Sequence, residues 1–290
     1  ETASWLRRTL WQLRRLFTRR SRRHRGRCAT AIVRQLGADI VVADDLTGCL
    51  VARDSGAACR IVHTHNVESV LHRQLAALTG HGKWARKARQ YETWERQVLP
   101  ELDQIWAVSE DDAAHYRQLG IANVQVMYFA FPDARFEPAP VVGQPGIGLY
   151  FGVLSYPPNS EAARWLAAHM PRVRAELPEA VIRIAGGGAS EALKAELAAV
   201  PGIEVLGFVK DLRDTARDAA AILVPIEYGG GTKTKTGEAL ALGKPILSTP
   251  EGVRGLPVRD GEQLLIRERA SDFIEQLVAL LRAPADYREL

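Results

Sequence analysis

Short apolar runs alternate with stretches of helical periodicity from residue 38 onward. In the first half of the chain, four apolar runs predict strands at 39–43, 60–63, 104–108 and 123–128. Between them, the apolar spacing predicts helices near 46–56, 66–79 and 83–99. A fourth helix is predicted to begin after Ser109, whose hydroxyl can cap it with Asp112 three residues on, and to end at Gly120.

The same alternation returns after a segment rich in proline and glycine. Residues 129–146 contain four prolines and two glycines, which predicts neither a helix nor a central strand, and therefore a domain boundary. Strands are predicted beyond it at 148–152, 180–185, 203–206, 220–224 and 245–248. Helices are predicted near 159–176, 189–199, 211–218, 233–242 and 270–282.

Strands of continuous apolar character that alternate with helices favour parallel sheets covered on both faces. The predicted fold class is therefore α/β, with two Rossmann-like lobes and a cleft between them. The predicted domains are an N-terminal arm at 1–30, a partial first lobe at 31–140 and a second lobe at 141–290. Ligands of such sheets bind at the carboxyl ends of the strands.

The N-terminal arm has one apolar helical face, formed by Leu6, Leu10, Leu13 and Phe17. Trp5 and Trp11 flank that face, and arginines occupy most of the rest. Such a helix suits an anionic membrane surface, which residues 5–27 would contact. A helix that packs its leucines on its own domain is an equal alternative. Nucleic-acid binding is not expected, because no known nucleic-acid module follows the arm.

Charge is divided unevenly along the 290 residues. Residues 1–27 hold ten of the 38 basic and one of the 34 acidic side chains, so this segment carries +9 and the remainder carries −5. The three cysteines are too few and too scattered for a disulfide framework or a zinc site. No apolar run is long enough to cross a membrane, and no secretory leader is expected. These features predict a cytoplasmic location, peripheral to the inner membrane face if the arm binds lipid.

The densest chemical signal lies at 227–238, between a buried strand and a helix. Gly229, Gly230 and Gly231 allow backbone amides to approach an anion, and the helix start and Lys233 and Lys235 add positive charge. The pattern is not that of a Walker A loop. The alternative is a flexible turn with solvated lysines. A second glycine cluster at 186–188 fits a dinucleotide fingerprint poorly and is equally compatible with a tight strand-to-helix turn.

The second half resembles the donor-binding domain of GT-B glycosyltransferases, in particular glycosyltransferase family 4, the group 1 transferases. The matching segments follow the family's order and lie at 151–159, 184–188, 205–212, 224–225, 229–235, 238–245 and 248–256. Segments 63–68 and 107–111 of the first half also match. The resemblance covers about residues 38–282. It implies that the family's first strand and glycine-rich loop should precede residue 1, and that the helix that returns to the first lobe should follow residue 282.

The resemblance implies a role for each matched residue. Lys235, with Lys233, would neutralise the diphosphate as the sugar leaves. Glu238 would hold the ribose, and His65 would face the donor sugar across the cleft. The further donor-binding residues implied are the glycine-rich loop with Thr232, and Gly187.

Besides the missing ends, two features depart from the family's pattern. The first of its two motif glutamates would stand at position 230, which is a glycine, and Glu227 is three residues too early. The basic residues that often follow the first donor-domain strand are missing from 153–158. His63 is expected on the opposite side of its strand from His65, so that one of the two faces the cleft. Asp44 and Asp45 are expected to be solvated carboxylates, and no metal ligand set is predicted.

The predicted function is that of a retaining glycosyltransferase. It would move a sugar from a UDP- or GDP-linked donor, a co-substrate rather than a cofactor, to a glycan or glycolipid acceptor without a bound metal. A sugar-nucleotide epimerase of the same fold and a non-catalytic nucleotide-sugar-binding fragment are the alternatives.

Overall fold

The computed structural model describes residues 22–129, 142–229 and 233–290. The chain divides into two compact units, Glu1–Tyr128 and Phe129–Leu290. The described part of each unit is a parallel sheet with helices. This arrangement confirms the predicted α/β class with two Rossmann-like sheets.

The first unit contains four strands and five helices in its described part. The strands are β1 (Ile40–Ala43), β2 (Cys59–Thr64), β3 (Gln104–Ala107) and β4 (Val124–Val126). The helices are α1 (Arg22–Leu36), α2 (Cys49–Arg53), α3 (Glu68–Thr79), α4 (Gly82–Val98) and α5 (Glu110–Gln118). A 3-10 turn, Leu99–Glu101, follows α4. The predicted elements of this half are confirmed, with ends displaced by a few residues.

The predicted ends of α5 are also correct. The Ser109 hydroxyl accepts a hydrogen bond from the backbone N–H of Asp112 at 3.1 Å, which satisfies one of the open donors of the first turn. Gly120 follows the helix with a φ of 84°, the left-handed conformation that ends many helices.

The strands of the first sheet lie side by side in chain order, β1-β2-β3-β4, and all pairs are parallel. Val62 and Ile105 of the two inner strands are fully buried and form the centre of the core with Leu99 and Tyr116. The carboxyl ends of parallel strands meet at one edge of a sheet, so that the residues following β1 and β2 are neighbours.

The second unit contains six strands and six helices in its described part. The strands are β5 (Gln144–Phe151), β6 (Val181–Ala185), β7 (Ile203–Gly207), β8 (Ala219–Val224), β9 (Ile246–Ser248) and β10 (Leu265–Ile266). The helices are α6 (Pro157–Glu176), α7 (Glu191–Ala198), α8 (Leu212–Ala216), α9 (Thr234–Ala241), α10 (Pro250–Val253) and α11 (Phe273–Arg282). A 3-10 turn, Pro284–Tyr287, follows α11.

The strand order of the second sheet reverses at β5. From β5 the chain builds β6 and β7 on one side, then returns to place β8, β9 and β10 on the other, in the order β10-β9-β8-β5-β6-β7. Every residue of β8 is buried, which explains its unbroken apolar sequence. Connections that leave in opposite directions from β5 and β8 create a switch point, where α/β sheets bind ligands.

The expectation that 129–146 contains no central-strand residue is wrong at its end. Pro145 and Gly146 belong to β5, which lies in the middle of the sheet. The register between β5 and β8 shifts between Gln144 and Gly148. A bulge of this kind omits a ladder hydrogen bond, so that it tolerates a residue without an N–H. The short elements β10 and α10 were not predicted, because two to four residues show no periodicity.

The apolar face predicted for the arm falls on residues 6–17, which lie outside the described residues. The basic end of the arm continues into α1, which begins at Arg22. No helix in the described ranges is long and apolar enough to cross a membrane.

Candidate functional site

A cavity of about 350 Å³ opens in the second unit at the switch point of the sheet. Its walls come from the carboxyl ends of β5 and β8, the first turn of α6 and the first turn of α9. The lining residues are Phe151, Gly152, Val153, Tyr156, Pro158, Asn159, Val224, Ile226, Tyr228, Gly229, Lys233, Thr234, Lys235, Thr236 and Glu238. The positive end of α9 therefore faces the cavity, where an anion would be stabilised.

Lys235 is the principal cation of this cavity. Its Nζ donates hydrogen bonds to Asn159 Oδ1 at 2.7 Å and to the Tyr150 hydroxyl at 3.2 Å, and it lies 4.6 Å from the centroid of the Tyr150 ring. Burial lowers the pKa of Lys235 to about 7, and the positive charge of Lys233 acts in the same direction against the opposing carboxylate of Glu238. Lys235 is thus held in place in the cavity with a proton that it readily loses.

Gly152 makes room for this ammonium group. A Cβ atom at this position would lie 2.7 Å from Lys235 Nζ and 2.9 Å from Asn159 Nδ2. Gly186 is needed for a similar reason, because its Cβ would lie 1.8 Å from the Gly152 carbonyl oxygen. The loop after β5 and the loop after β6 are therefore packed directly on one another.

The second glycine cluster, at 186–188, lies in the connection between β6 and α7. The Gly187 carbonyl accepts a hydrogen bond from Leu154 N at 2.8 Å. A Cβ on Gly187 would contact Phe208 at 3.8 Å. Gly187 does not line the cavity that the described residues form, although it supports the loop between β5 and α6.

Lys233 also lines the cavity, but its charge is already compensated. Its Nζ lies 2.8 Å from Glu251 Oε1 and donates to the Gly229 carbonyl at 2.9 Å. Arg254 binds the same two groups, at 3.4 Å from the carboxylate and 2.7 Å from the carbonyl. This network fixes Gly229 at the cavity wall and distinguishes Lys233 from Lys235, which has no carboxylate within ion-pair distance among the described residues.

Glu238 is the acidic residue of the cavity lining. Burial raises the pKa of its carboxyl group, and the charge of Lys235 opposes that increase. Gly230, Gly231 and Thr232, the other predicted donor-binding residues of this loop, lie outside the described residues.

Arg269 is a structural element of the site that the sequence did not indicate. It lies between β10 and α11, and its guanidinium group binds Glu161 through two nitrogens at 2.7 and 3.0 Å. It also donates to the Pro225 carbonyl, stacks 4.7 Å from the Trp165 ring centroid and lies 3.5 Å from Glu227 Oε1. The guanidinium group of Arg269 therefore connects α6 to the segment after β8. No local pattern marks it, because its partners are more than 40 positions away.

His65 directly follows β2 in the first unit. Its Nε2 lies 2.8 Å from the Asp44 carbonyl oxygen and 3.2 Å from Asp44 Oδ1. The expectation that His63 lies on the opposite side is wrong: its Nδ1 lies 3.2 Å from the same Oδ1, and the two imidazole centroids are 4.9 Å apart. Residues two positions apart share one side of a strand, so both rings meet Asp44. That carboxylate is solvated, as predicted, but it also contacts the two histidines.

Known proteins were compared with the chain in sequence and in structure. Residues 146–283 match the family model described as glycosyl transferases group 1. A comparison with curated protein sequences found no significant match. Structures of low sequence identity share the fold over most of the chain.

Three solved structures illustrate this similarity. TarM has a TM-score of 0.71 at 12% identity, over 91% of this chain and 54% of its own. Anabaena HepE in complex with UDP and glucose has a TM-score of 0.67 at 13% identity, over 90% and 75%. The sucrose-phosphate synthase of Thermosynechococcus elongatus has a TM-score of 0.71 at 19% identity, over 89% and 68%.

The chain thus spans about half the length of TarM. Its two parallel sheets agree with the Rossmann-like lobes of GT-B proteins. The cavity lies within the matched segment, at the switch point of the second sheet. Residues 146–283 therefore match the glycosyl transferases group 1 family, in a chain that has the GT-B fold.

Proposed function

We propose that this protein is a retaining glycosyltransferase that transfers a sugar from a nucleotide-diphosphate donor to a glycan or glycolipid acceptor. The donor is UDP- or GDP-linked, and the reaction proceeds without a bound metal ion. The proposal concerns the whole protein, of which the second unit supplies the donor site.

The position of Lys235 is the observation that carries this proposal. When a glycosidic phosphate bond breaks, negative charge develops on the leaving diphosphate, and a fixed cation stabilises it. The ammonium group of Lys235 lies in a cavity of suitable size beside the N-terminus of α9. Its hydrogen bond to Asn159 fixes the position of the ammonium group in the absence of a ligand. Little movement of the side chain is therefore needed when the diphosphate binds.

The lowered pKa of Lys235 supports the same role. A lysine with a pKa of about 7 is half deprotonated near neutral pH. A bound diphosphate would favour the charged form, and binding would take up a proton. The positive charge of Lys235 would therefore form as the diphosphate binds beside it.

Two further residues complete the proposed donor site. Glu238, at the cavity wall and half buried, would accept hydrogen bonds from the hydroxyls of the nucleotide ribose. Lys233 would bind the phosphates together with Lys235, in exchange for part of its contact with Glu251. Similar structures agree with a diphosphate ligand, since the structure of HepE is a complex with UDP and glucose.

His65 is proposed as the first-unit residue that faces the donor sugar. Its contacts with the backbone carbonyl and side chain of Asp44 fix the ring at the carboxyl end of β2. This is the edge at which parallel sheets present functional groups.

The arm at 5–27 is proposed to hold the protein at an anionic membrane surface, where a glycolipid acceptor would be found. The support is the predicted apolar helical face and the +9 charge of residues 1–27. A location at the inner face of the cytoplasmic membrane follows from this proposal.

The proposed function is tested by a donor screen followed by a turnover assay. UDP-glucose, UDP-N-acetylglucosamine and GDP-mannose would be compared by thermal shift, because a ligand of the native state raises the melting temperature. We expect one donor to stabilise the protein and Lys235→Ala to abolish that shift. Lys194→Ala is the matched control, since Lys194 is an exposed lysine of α7.

The turnover assay separates the alternatives. Release of the nucleoside diphosphate with transfer of the sugar, and with the anomeric configuration kept, is the expected result. A donor that binds without turnover would indicate a binding fragment. Conversion of the donor to another nucleotide sugar without an acceptor would indicate an epimerase.

A further inference from the structure

Asp44, His63 and His65 form a compact cluster in the first unit. One ligand atom from each side chain lies within 4.8 Å of the other two. The Asp44 Oδ1 atom is 3.2 Å from His63 Nδ1 and 3.2 Å from His65 Nε2. The three side chains therefore converge on one point.

The fold places these residues together. In the parallel register of β1 and β2, Ala43 is opposite Val62, so that Asp44 emerges beside His63. His65 lies on the same side as His63, because side chains alternate along extended backbone. The proximity of Asp44, His63 and His65 thus depends on the register of β1 and β2 and not on a single loop.

We propose that Asp44, His63 and His65 bind a divalent transition metal of the zinc type. Two ligand atoms about 2.1 Å from one tetrahedral ion are about 3.4 Å apart, close to the two separations of 3.2 Å measured here. Two imidazoles and one carboxylate are ligands that zinc accepts, whereas magnesium and calcium require more oxygen atoms. Water completes the coordination.

Exposure of the cluster decides how the ion enters and leaves. The side chains of His65 and Asp44 are 40% and 83% exposed, while that of His63 is 18% exposed. Zinc would reach the site from solvent and replace the hydrogen bonds between the two rings and Asp44.

A bound zinc ion would occupy the ring nitrogen of His65, so that this side chain could not take part in the reaction. This consequence, which rests on the proposed function, makes the site inhibitory. The metal site itself does not depend on the identity of the reaction.

Isothermal titration of the metal-free protein with zinc chloride tests the proposal. The exposed thiol of Cys28 is first removed by Cys28→Ser, because it would bind zinc on its own. One zinc per chain is expected, with affinity reduced at least about tenfold by His63→Ala, His65→Gln or Asp44→Asn. His81→Ala and Asp39→Asn are matched controls, as both residues are exposed and lie elsewhere in the first unit.

A second signal follows from Trp106, whose ring centroid is 6.5 Å from that of His63. Cobalt or copper at the site would quench its fluorescence, and Trp106→Phe would remove that part of the quench. Equal zinc affinity in Asp44→Asn, His65→Gln and the controls, all with unchanged melting temperature, would overturn the site. Site-specific zinc binding that leaves turnover unchanged would instead support the site and contradict the role of His65.

Discussion

The two sheets place polar side chains at the same edge but with different consequences. In the first unit, strand order follows chain order, and Asp44 and its histidines lie at an exposed strand end. In the second unit, the order reverses between β5 and β8, and a cavity forms there with Lys235 inside. The carboxyl ends of the strands supply functional groups in both units. In the second unit, the reversal of strand order also forms a cavity that shields these groups from water.

Desolvation is what gives Lys235 its chemistry. Its pKa falls to about 7 because the ammonium group is removed from water, and the positive charge of Lys233 lowers the pKa further against the opposing carboxylate of Glu238. The two regions therefore differ in that one holds a cation inside a cavity and the other holds a cluster of ligands at an exposed strand end.

Removal of the buried cation should have the largest effect. Lys235→Ala is expected to weaken binding of a nucleoside diphosphate by ~1.5–3 kcal/mol, the range of a charge-assisted hydrogen bond. That loss is roughly 10- to 150-fold in affinity. Titration calorimetry with the diphosphate and with the bare nucleoside would measure it.

The bare nucleoside provides the internal control for Lys235→Ala. Its affinity should hardly change, because it lacks the phosphates that contact the ammonium group. Equal losses for both ligands would refute the assignment and indicate misfolding. Lys194→Ala should leave both affinities unchanged.

Substitution of His65 in the exposed cluster should affect turnover and not donor binding. His65→Ala is expected to reduce turnover at least about tenfold, the lower range for a positioned catalytic side chain. His63→Ala should mainly lower the melting temperature, because His63 is the more buried of the two and pairs with Trp106 across the sheet. The reverse assignment of the two effects would show that the catalytic histidine had been misidentified.

The pH dependence of donor binding should report the buried lysine. The charged form of Lys235 is the binding form, and it is lost as the pH rises through about 7. Affinity for an intact nucleotide sugar should therefore fall about tenfold between pH 6 and pH 8. Such donors have no phosphate that titrates in this range. Lys235→Arg, which stays charged, should flatten the profile, and an unchanged slope in that variant would exclude Lys235 as its source.

The arm should contribute the smallest and most salt-dependent effect. Each arginine near an anionic surface is worth about 1 kcal/mol at low salt, and the attraction is screened beyond about 8–10 Å near physiological ionic strength. Replacement of Leu10, Leu13 and Phe17 by serine should remove the part that salt does not screen. Co-sedimentation with vesicles that contain anionic lipid would measure both.

The same triple variant distinguishes the two interpretations of the arm. Packing on the first unit predicts a lower melting temperature in the absence of lipid. A lower melting temperature with unchanged sedimentation would therefore reject the membrane proposal.

Much of the fold could be predicted from local patterns. The continuous apolar run of β8 and the alternation with helices predicted a parallel sheet, and Ser109 and Gly120 marked the ends of one helix. Pro145 was misplaced because the β5–β8 bulge that tolerates it involves a strand about 70 residues away. A bulge between distant strands has no local signal.

Residue types and their order were enough to identify the groups available to bind an anion: the glycine-rich loop, Lys233, Lys235 and the helix start that follows a buried strand. The folded chain was needed to show that Glu251 neutralises Lys233 whereas Lys235 reaches Asn159 inside the cavity. It was also needed to show that Arg269 connects the segment after β8 to α6 and that His63 joins His65 at Asp44. The reason is physical. Residue type and spacing set charge and local conformation, but burial and partners depend on strands and helices that are far apart in the chain.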